Sequence, residues 1–410
     1  MYSEITKCRI SGSTDLVQVL SLGNQMLTGV FPQTAEQKIT TGPLDLVWCR
    51  ESGLLQLKQS YSLTEMYGDN YGYRSGLNAS MVRHLTRKIT RLEKLVSLTE
   101  QDVVVDIGSN DATSLKAYTG SHRKVGIDPT GLKFKAYYPA DVELIPDFFN
   151  AALFKKAFGN RKAKIVTSIA MFYDLESPGN FVQDIVDILD DDGVWHFEQS
   201  YLPAMLRTNS YDTICHEHLE FYSLQVIKNL LERCGLKIID VETNDINGGS
   251  FAVTAAHIKS GHRSNDSMIN WMLAEEIKMG LNTVTPYMEF AARVEKHKES
   301  LVALLRSLVK AGKRIYGYGA STKGNVLLQY CAIGTDLVKG IAEVNENKFG
   351  CLTPGTNIPI VSEAEAKADK PDYFLVLPWH FRHSILQREQ DFISGGGKFI
   401  FPLPFIEITA

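Results

Sequence analysis

The stretch Val103-Val-Val-Asp-Ile-Gly-Ser-Asn-Asp111 decides the fold of this chain. It is an apolar run that ends in glycine and polar residues, and a helical pattern follows from Thr113. Glycine lets a backbone approach a ligand closely. The next apolar run, Val125–Ile127, ends at Asp128, where an acidic side chain in a doubly wound sheet accepts hydrogen bonds from ribose hydroxyls. The two runs together predict an adenosine ligand.

From this stretch onward, short apolar runs alternate with helical patterns. Such alternation is typical of an α/β fold, in which helices cover a parallel sheet. The runs are Val103–Ile107, Val125–Ile127, Val142–Ile145, Ile165–Ile169, Val194–Phe197, Leu236–Val241 and Phe251–Ala255. Helical spacing follows Pro286, and four later runs predict a second α/β lobe: Arg314–Gly319, Val338–Glu343, Tyr373–Leu377 and Lys398–Phe401.

A chain of 410 residues exceeds what one hydrophobic core usually serves, so we expect several domains. The pattern predicts a compact N-terminal module over residues 1–75 and a cofactor-binding domain over 76–260. It then predicts a helical connector over 261–311 and a second α/β domain over 312–410.

Charge and hydropathy exclude several classes of partner. The formal net charge is −4 and no basic cluster is present, which argues against a nucleic-acid partner. No apolar run approaches the roughly 20 residues that span a bilayer, and the start lacks the pattern of a secretory signal. The six scattered cysteines fit reduced thiols. We expect a cytoplasmic protein without a membrane partner, either a monomer or a small homo-oligomer.

The glycine turn favours a methyl donor over a dinucleotide. A nicotinamide cofactor would need Gly-x-Gly-x-x-Gly, which Gly108-Ser-Asn-Asp-Ala112 does not provide. Asp106 and Asp111 would repel a diphosphate, whereas the sulfonium and amino groups of S-adenosylmethionine tolerate nearby carboxylates. The turn therefore predicts S-adenosylmethionine. Taken alone, the motif leaves open an ordinary strand-to-helix turn.

Five motifs occur in a characteristic order along the chain: Asp106-Ile-Gly-Ser-Asn110, Ser168-Ile-Ala-Met-Phe-Tyr-Asp-Leu175, Asp212-Thr-Ile-Cys-His-Glu-His218, Asn247-Gly-Gly-Ser250 and Gly317-Tyr-Gly-Ala-Ser-Thr-Lys-Gly324. With them the chain resembles, over nearly its whole length, the S-adenosylmethionine-dependent C-methyltransferases of nucleotide-linked 4-keto deoxysugars. The resemblance implies a zinc-type N-terminal module, a central Rossmann-like class I methyltransferase domain and a C-terminal Rossmann-like α/β domain. It also implies that a nucleotide sugar is methylated at C3, beside the C4 ketone, through an enolate.

The resemblance assigns roles in this chemistry to particular side chains. It implies that His218 removes the C3 proton, that Glu217 assists and that His216 holds the loop in place. Tyr71 and Tyr73 are implied to reach the sugar or the cofactor, where their hydroxyls could stabilise the oxyanion at O4. Packing at a domain junction is the alternative role that these residue types leave open.

Two further groups of residues are candidates for ligand contacts. The candidate cofactor residues are Asp106, Gly108, Ser109, Asn110, Asp128, Pro129, Asp147, Phe148 and Ser168. The candidate substrate residues are Asn247, Gly249, Ser250, Tyr318, Ser321 and Lys323. Lys323 follows a glycine-rich turn, an arrangement suited to a diphosphate. A solvated lysine on an ordinary turn is the alternative.

The N-terminal module departs from the pattern of its relatives, many of which carry two Cys-x-x-Cys pairs. Cys8-Arg-Ile-Ser11 and Cys49-Arg-Glu-Ser52 each keep only the first cysteine. A neutral serine hydroxyl is a poor zinc ligand, so we predict no tightly bound zinc. The module would then be held by packing around Leu44, Leu46, Trp48, Leu54 and Leu55.

Two other functions compete with methyl transfer. The layered sheet and the Gly317 turn would also suit an NAD-dependent sugar-nucleotide oxidoreductase, although the glycine fingerprint is missing after Val105. The broken cysteine pairs would also suit a non-catalytic scaffold that has kept the fold.

Overall fold

The computed structural model describes residues 2–62, 65–66 and 74–409. The candidate residues Tyr71 and Tyr73 lie outside the described residues, so their predicted roles stay predictions. Four β-sheets are formed within the described ranges, and the two larger ones correspond to the two α/β regions that the sequence predicts.

The N-terminal region forms a small antiparallel sheet and a two-stranded ribbon. Its strands are β1 (Tyr2–Glu4), β2 (Leu16–Met26), β3 (Thr41–Cys49), β4 (Leu55–Leu57) and β5 (Gln59–Tyr61). Strands β2, β3 and β4 pair in that order, and β1 pairs with β5. The predicted packing residues Leu44, Leu46, Trp48, Leu54 and Leu55 are all buried.

The central region alternates strands with helices. Its elements are α1 (Ala79–Leu95), β6 (Val103–Ile107), α2 (Thr113–Lys116), β7 (Arg123–Ile127), α3 (Gly131–Phe134), β8 (Val142–Ile145), α4 (Ala151–Phe158), β9 (Ala163–Ile169), α5 (Pro178–Ile188), β10 (Leu189–Ser200), α6 (Leu202–Thr208), β11 (Glu220–Phe221), α7 (Leu224–Arg233), β12 (Leu236–Asn244) and β13 (Ser250–His257). All seven predicted strands are present, and β11 is an additional short one.

Seven of these strands form one sheet in the order β12-β13-β10-β9-β6-β7-β8. Strand β13 is antiparallel to both of its neighbours, and the other neighbouring strands run parallel. Strand β6 is buried along its whole length because helices cover both faces of the sheet. The carboxyl ends of β6, β7, β9 and β10 therefore open at one edge, where ligands bind in open α/β sheets. The α/β prediction is confirmed.

Two helices connect the α/β regions: α8 (Asp266–Lys278) and α9 (Thr285–Lys310). Pro286 lies in the first turn of α9, where its missing N–H costs no hydrogen bond. The side chains of Tyr287, Phe290 and Val294 are buried along one face, which confirms the predicted helical spacing. Within the described ranges, no helix is both long and apolar enough to cross a membrane.

The C-terminal region forms a second sheet with helices between its strands. Its elements are β14 (Ile315–Tyr318), α10 (Thr322–Tyr330), β15 (Ile341–Glu343), β16 (Ile360–Ser362), α11 (Glu363–Ala368), β17 (Tyr373–Val376), α12 (Arg382–Arg388), α13 (Gln390–Ser394), β18 (Lys398–Phe401) and β19 (Glu407–Thr409). The strand order is β16-β15-β14-β17-β18-β19, parallel except for the last strand. The four predicted strands are confirmed, and β16 and β19 are additional.

Candidate active site

A cavity of about 1450 Å³ opens where the three regions meet. Gly29 and Phe31 line it from the N-terminal region, and the carboxyl edge of the central sheet forms one wall. Ser321, Lys323 and Lys348 line it from the C-terminal region. A site for one drug-sized ligand usually measures about 300–1,000 Å³. The cavity therefore has room for two ligands side by side.

The turn after β6 forms the cofactor side of the cavity. Gly108 and Asn110 have φ angles of 71° and 51°, in the left-handed region that glycine and asparagine tolerate best. The backbone N–H of Asn110 donates to Asp128 at 2.7 Å, and the other carboxylate oxygen of Asp128 accepts from Thr130. Asp128 thus orders the turn as well as facing the cavity.

Asp106 lies at the floor of this turn and is buried. Its carboxylate accepts a hydrogen bond from the Thr167 hydroxyl at 2.5 Å. Burial raises the pKa of Asp106 to about 7, because little water is left to solvate its charge. A cationic ligand beside it would restore the charged form.

The structure brings most candidate cofactor residues to this wall. Those that line the cavity are Asp106, Gly108, Ser109, Asn110, Asp128, Pro129 and Phe148. Asp147 and Ser168 are not among the lining residues. Asp147 is exposed and accepts from the N–H of Phe148, whereas Ser168 is buried inside the sheet layer and accepts from the Trp195 indole at 3.0 Å. The geometry gives these two side chains supporting contacts instead.

His218 also lines the cavity. Its Nδ1 lies 2.7 Å from the carbonyl oxygen of Thr213, so Nδ1 carries the proton and donates it, and Nε2 is left as an acceptor. Burial, and then the charge of Lys323, lower the pKa of His218 to about 4. The edge of the Tyr173 ring packs against the imidazole at 4.5 Å between centroids. The neutral ring is thus held in one orientation.

Glu217 also lines the cavity. Burial raises the pKa of its carboxyl to about 7, and the Cys215 thiol donates to it only weakly, at 3.7 Å. A Cβ atom added to Gly29 would lie 2.7 Å from Glu217 Oε1. The glycine therefore leaves the space that the carboxylate occupies.

His216 points the other way, into the interface with the N-terminal region. Its ring nitrogens face the Thr28 hydroxyl and the Gln25 carbonyl oxygen, at 3.5 and 3.2 Å, and Tyr61 packs edge-on against it. It is buried and does not line the cavity. This placement agrees with a role in holding the loop.

Four of the six candidate substrate residues line the cavity, and two do not. Asn247, Ser250, Ser321 and Lys323 line the cavity, and Lys323 Nζ donates to the Asn247 carbonyl oxygen at 2.9 Å. This bond joins the β12–β13 turn to the start of α10.

Gly249 and Tyr318 are not among the lining residues. Gly249 has a φ of 124° and packs so closely on α6 that an added Cβ would lie 2.5 Å from that of Ala204. Tyr318 is buried behind β14, where its hydroxyl donates to Glu389 at 2.8 Å. Their positions correct the expectation that both would face the substrate.

Sequence reasoning passed over several residues that line the cavity. Tyr173, Gln199 and Lys348 are among them. Tyr173 lies inside a quoted motif, and Gln199 lies two residues after the predicted strand Val194–Phe197, so each had a weak signal. Lys348 had none, because only the folded C-terminal sheet brings it beside Phe31, with Nζ 4.4 Å from the ring centroid.

Three known protein families each match one part of the chain. The family described as "C-methyltransferase C-terminal domain" matches residues 245–404, and the one described as "Methyltransferase domain" matches residues 77–241. A third, whose description names a zinc binding domain, matches residues 8–67. C-methyltransferase NovU of Streptomyces niveus is 32% identical over 404 residues, which cover 98% of this chain and 96% of NovU. This chain belongs to the C-methyltransferase family.

Two solved methyltransferase-type structures resemble part of the chain. Plantazolicin methyltransferase BpumL in complex with SAH is 11% identical, covers 45% of this chain and 87% of its own, and gives a TM-score of 0.36. LepI in complex with SAM is 15% identical, and the match covers 45% of this chain and 54% of LepI with a TM-score of 0.34. The fold assignment rests on the strand order described above.

Family membership decides between the three functions that the sequence left open. The enzyme is a methyltransferase with S-adenosylmethionine as its cofactor, which decides against the oxidoreductase and the non-catalytic scaffold. The site fits this cofactor: Gly108 exposes backbone at the sheet edge, and the carboxylates of Asp106 and Asp128 face the cavity. Carboxylates suit a ligand with ammonium and sulfonium charges.

The degenerate cysteine pairs come together in the fold. Cys8 Sγ lies 3.2 Å from Ser52 Oγ, and Cys49 Sγ lies 3.6 Å from Ser11 Oγ. Within the described residues, no three His, Cys, Asp or Glu side chains are grouped as metal ligands. Each remaining cysteine thus contacts the serine that replaces the second cysteine of the other pair.

Proposed function

We propose that this C-methyltransferase methylates C3 of a nucleotide-linked 4-keto-6-deoxysugar through an enolate, as a step of deoxysugar biosynthesis, and that His218 is the base. The observation that supports this most is the placement of the His218 imidazole. It faces a cavity large enough for both ligands, and its Nδ1 is bound to Thr213.

His218 is suited to removing a carbon-bound proton. Since its Nδ1–H is fixed on the Thr213 carbonyl oxygen, Nε2 presents a lone pair. The lowered pKa of about 4 keeps the ring neutral, and therefore able to accept a proton, throughout the physiological range. A ketone at C4 acidifies the C3 proton, which this weak base can then remove.

In the proposed step His218 Nε2 takes the C3 proton, and the electron pair of the C3–H bond passes into an enolate with its charge on O4. S-adenosylmethionine supplies the methyl group as an electrophile: the C3–CH₃ bond forms, the S–CH₃ bond breaks and the electron pair stays on sulfur. Glu217, whose carboxyl pKa lies near 7, can stabilise the imidazolium that remains.

The two lysine side chains that line the cavity from the C-terminal region support a nucleotide sugar as the substrate. Lys323 and Lys348 donate to carbonyl oxygens of Asn247 and Ala320, and neither forms an ion pair with a carboxylate in the part of the chain that the structure describes. Ser321 caps the first turn of α10. Two lysine side chains without an ion-pair partner at hydrogen-bond distance, beside a helix N-terminus, suit the negative charge of a diphosphate.

The test is mass spectrometry of reactions containing the enzyme, S-adenosylmethionine and a panel of nucleotide-linked 4-keto-6-deoxysugars. A product heavier by one methylene, with the new methyl at C3, is the expected result. A parallel reaction in deuterated water, with S-adenosylhomocysteine in place of the donor, should place deuterium at C3 of the recovered sugar.

Two variants make the assignment of the base specific. His218→Ala should abolish both methylation and exchange at C3, whereas His262→Ala should change neither, because His262 lies outside the cavity and contacts the Asp192 carbonyl oxygen. Normal exchange in His218→Ala would overturn the base assignment. No methylated sugar from any substrate in the panel would overturn the substrate class.

A further inference from the structure

Gln199 is a buried glutamine that lines the cavity and has no role in the chemistry described so far. Its side chain is 1% exposed, and within the described residues neither Nε2 nor Oε1 has a hydrogen-bond partner. A buried amide without partners costs folding free energy. Gln59, equally buried, instead bonds Asp45 and Glu4. The unpaired state of Gln199 therefore requires an explanation.

Gln199 and the proposed base both line the cavity, and aromatic side chains connect strand β10 with the segment that packs against the base. Gln199 lies near the carboxyl end of β10, where side chains alternate between the two faces. Gln199 thus shares a face with Phe197, whose ring lies 5.4 Å from that of Phe172. The next residue, Tyr173, packs against His218. The free amide accordingly belongs to the wall that carries the base.

The order of strands in the sheet separates Gln199 from the adenosine end of the cofactor. Strand β10 is two positions from β6 and three from β7 in the sheet order. Neighbouring strands lie about 4.8 Å apart, so Gln199 is roughly 10 Å from the strand that carries the glycine turn. On the side away from β6, strand β10 pairs with β13: Gln199 is opposite Phe251, and the next pair, Ser200 and Ser250, lines the cavity. Gln199 is therefore on the substrate side.

We propose that Gln199 binds the reacting part of the sugar: Nε2 donates to O4, and Oε1 accepts from the polar substituent next to it. This role rests on the proposed function. As the C3 proton leaves for His218, negative charge gathers on O4, and a donor fixed in a dry site stabilises that charge most in the transition state. An amide suits this position because it cannot ionise and so stays a donor at every pH.

The first test is Gln199→Leu, which keeps the approximate shape and removes both polar atoms. The value of kcat for sugar methylation should fall roughly 100-fold or more, as on removal of other oxyanion donors. Affinity for S-adenosylhomocysteine, measured by calorimetry, should not change. The Tm should stay level or rise, because an unsatisfied amide is removed. Gln59→Leu is the matched control and should lower the Tm.

A second variant tests the donor specifically. Gln199→Glu keeps an acceptor but presents a donor only when the carboxyl is protonated. Its methylation rate relative to the wild type should therefore rise as the pH is lowered, whereas a purely structural role would leave that ratio constant.

The outcomes separate this inference from the proposed function. If the wild type methylates a sugar and Gln199→Leu is equally active, the role of Gln199 is refuted and the function stands. Weaker binding of S-adenosylhomocysteine by Gln199→Leu would show that the Gln199 amide contacts the cofactor, and this would also refute its proposed role at the sugar. If the wild type methylates no sugar nucleotide, the proposed function fails first.

Discussion

Glu217 is a single residue whose burial has a measurable consequence. Its pKa is raised from 4.5 to about 7, so folding favours the protonated carboxyl. The stability that protonation contributes is complete below pH 4.5, is lost progressively as the pH rises from 4.5 to 7, and is gone above that range. Glu217→Gln stays neutral, and by linkage it should be more stable than the wild type at pH 8 by up to roughly 3 kcal/mol, with no gain at pH 4.

Thermal unfolding across this pH range checks the prediction. The difference in Tm between Glu217→Gln and the wild type should widen as the pH rises from 4.5 to 7 and should level off above that range. Glu36→Gln, a change at an exposed glutamate, provides the control and should follow the wild-type curve. If the Tm of the wild type and that of Glu217→Gln change with pH in parallel, burial does not raise the pKa of the Glu217 carboxyl.

Residues within quoted motifs were the ones that sequence analysis could place. His218 and Glu217 reach the cavity because one short loop carries both, although the neighbouring His216 faces the opposite way. Nothing in the sequence shows which side chains of such a loop face inward. Gln199 shows the same limit, since its unpaired state exists only once the surrounding strands are packed.

At the level of elements, the loop after β2 limits where Glu217 can lie. A Cβ added at Gly29 would meet Glu217 Oε1 at 2.7 Å and Thr322 Oγ1 at 3.8 Å. In Gly29→Ala the carboxylate must move, and because it ends a flexible side chain the fold should hardly be affected. We expect kcat to fall roughly 10-fold to 100-fold, since small displacements of catalytic groups are costly.

Steady-state kinetics and a Tm measurement on Gly29→Ala test this expectation. Gly261→Ala is the matched control, because an added Cβ there meets nothing within 4 Å and the backbone is not left-handed. A Gly29→Ala enzyme with wild-type kcat would show that the position of Glu217 does not matter for the reaction.

Most elements of the fold were predictable because their signals are local. Buried parallel strands such as β6 and β9 are continuous apolar runs. The helical spacing of apolar residues after Pro286 predicts α9. The strand β11 was missed since it contains only two residues and pairs with β4 of another region. Pairings of that kind depend on the tertiary fold and leave no periodic pattern in the sequence.

For the whole molecule, the N-terminal region is both a structural support and part of the active site. Strand β11 of the central region joins its sheet, and the Arg9 guanidinium donates to the Leu57 carbonyl oxygen at 2.6 Å while lying 3.7 Å from Glu220. The same region supplies Gly29 and Phe31 to the cavity. Enzyme activity should therefore depend on the stability of the N-terminal region.

The two Cys–Ser contacts suggest a way to stabilise the N-terminal region. In a tetrahedral zinc site with bonds of about 2.3 Å, neighbouring sulfurs lie roughly 3.8 Å apart. The side-chain separations of 3.2 and 3.6 Å in the two Cys–Ser pairs are close to that value. Replacing both Ser11 and Ser52 by cysteine should complete four thiolate ligands without moving the backbone.

We predict that the double variant Ser11→Cys/Ser52→Cys retains one zinc ion per chain after gel filtration, whereas the wild type retains none. Because metal binding would add to the free energy of folding, the Tm of the zinc-loaded variant should exceed that of the wild type, and EDTA should remove the gain. EDTA should leave the wild-type Tm unchanged. Retention of zinc by the wild type would contradict the inference that serine has ended metal binding here. A double variant that takes up no zinc would show instead that the four positions have drifted out of ligand geometry.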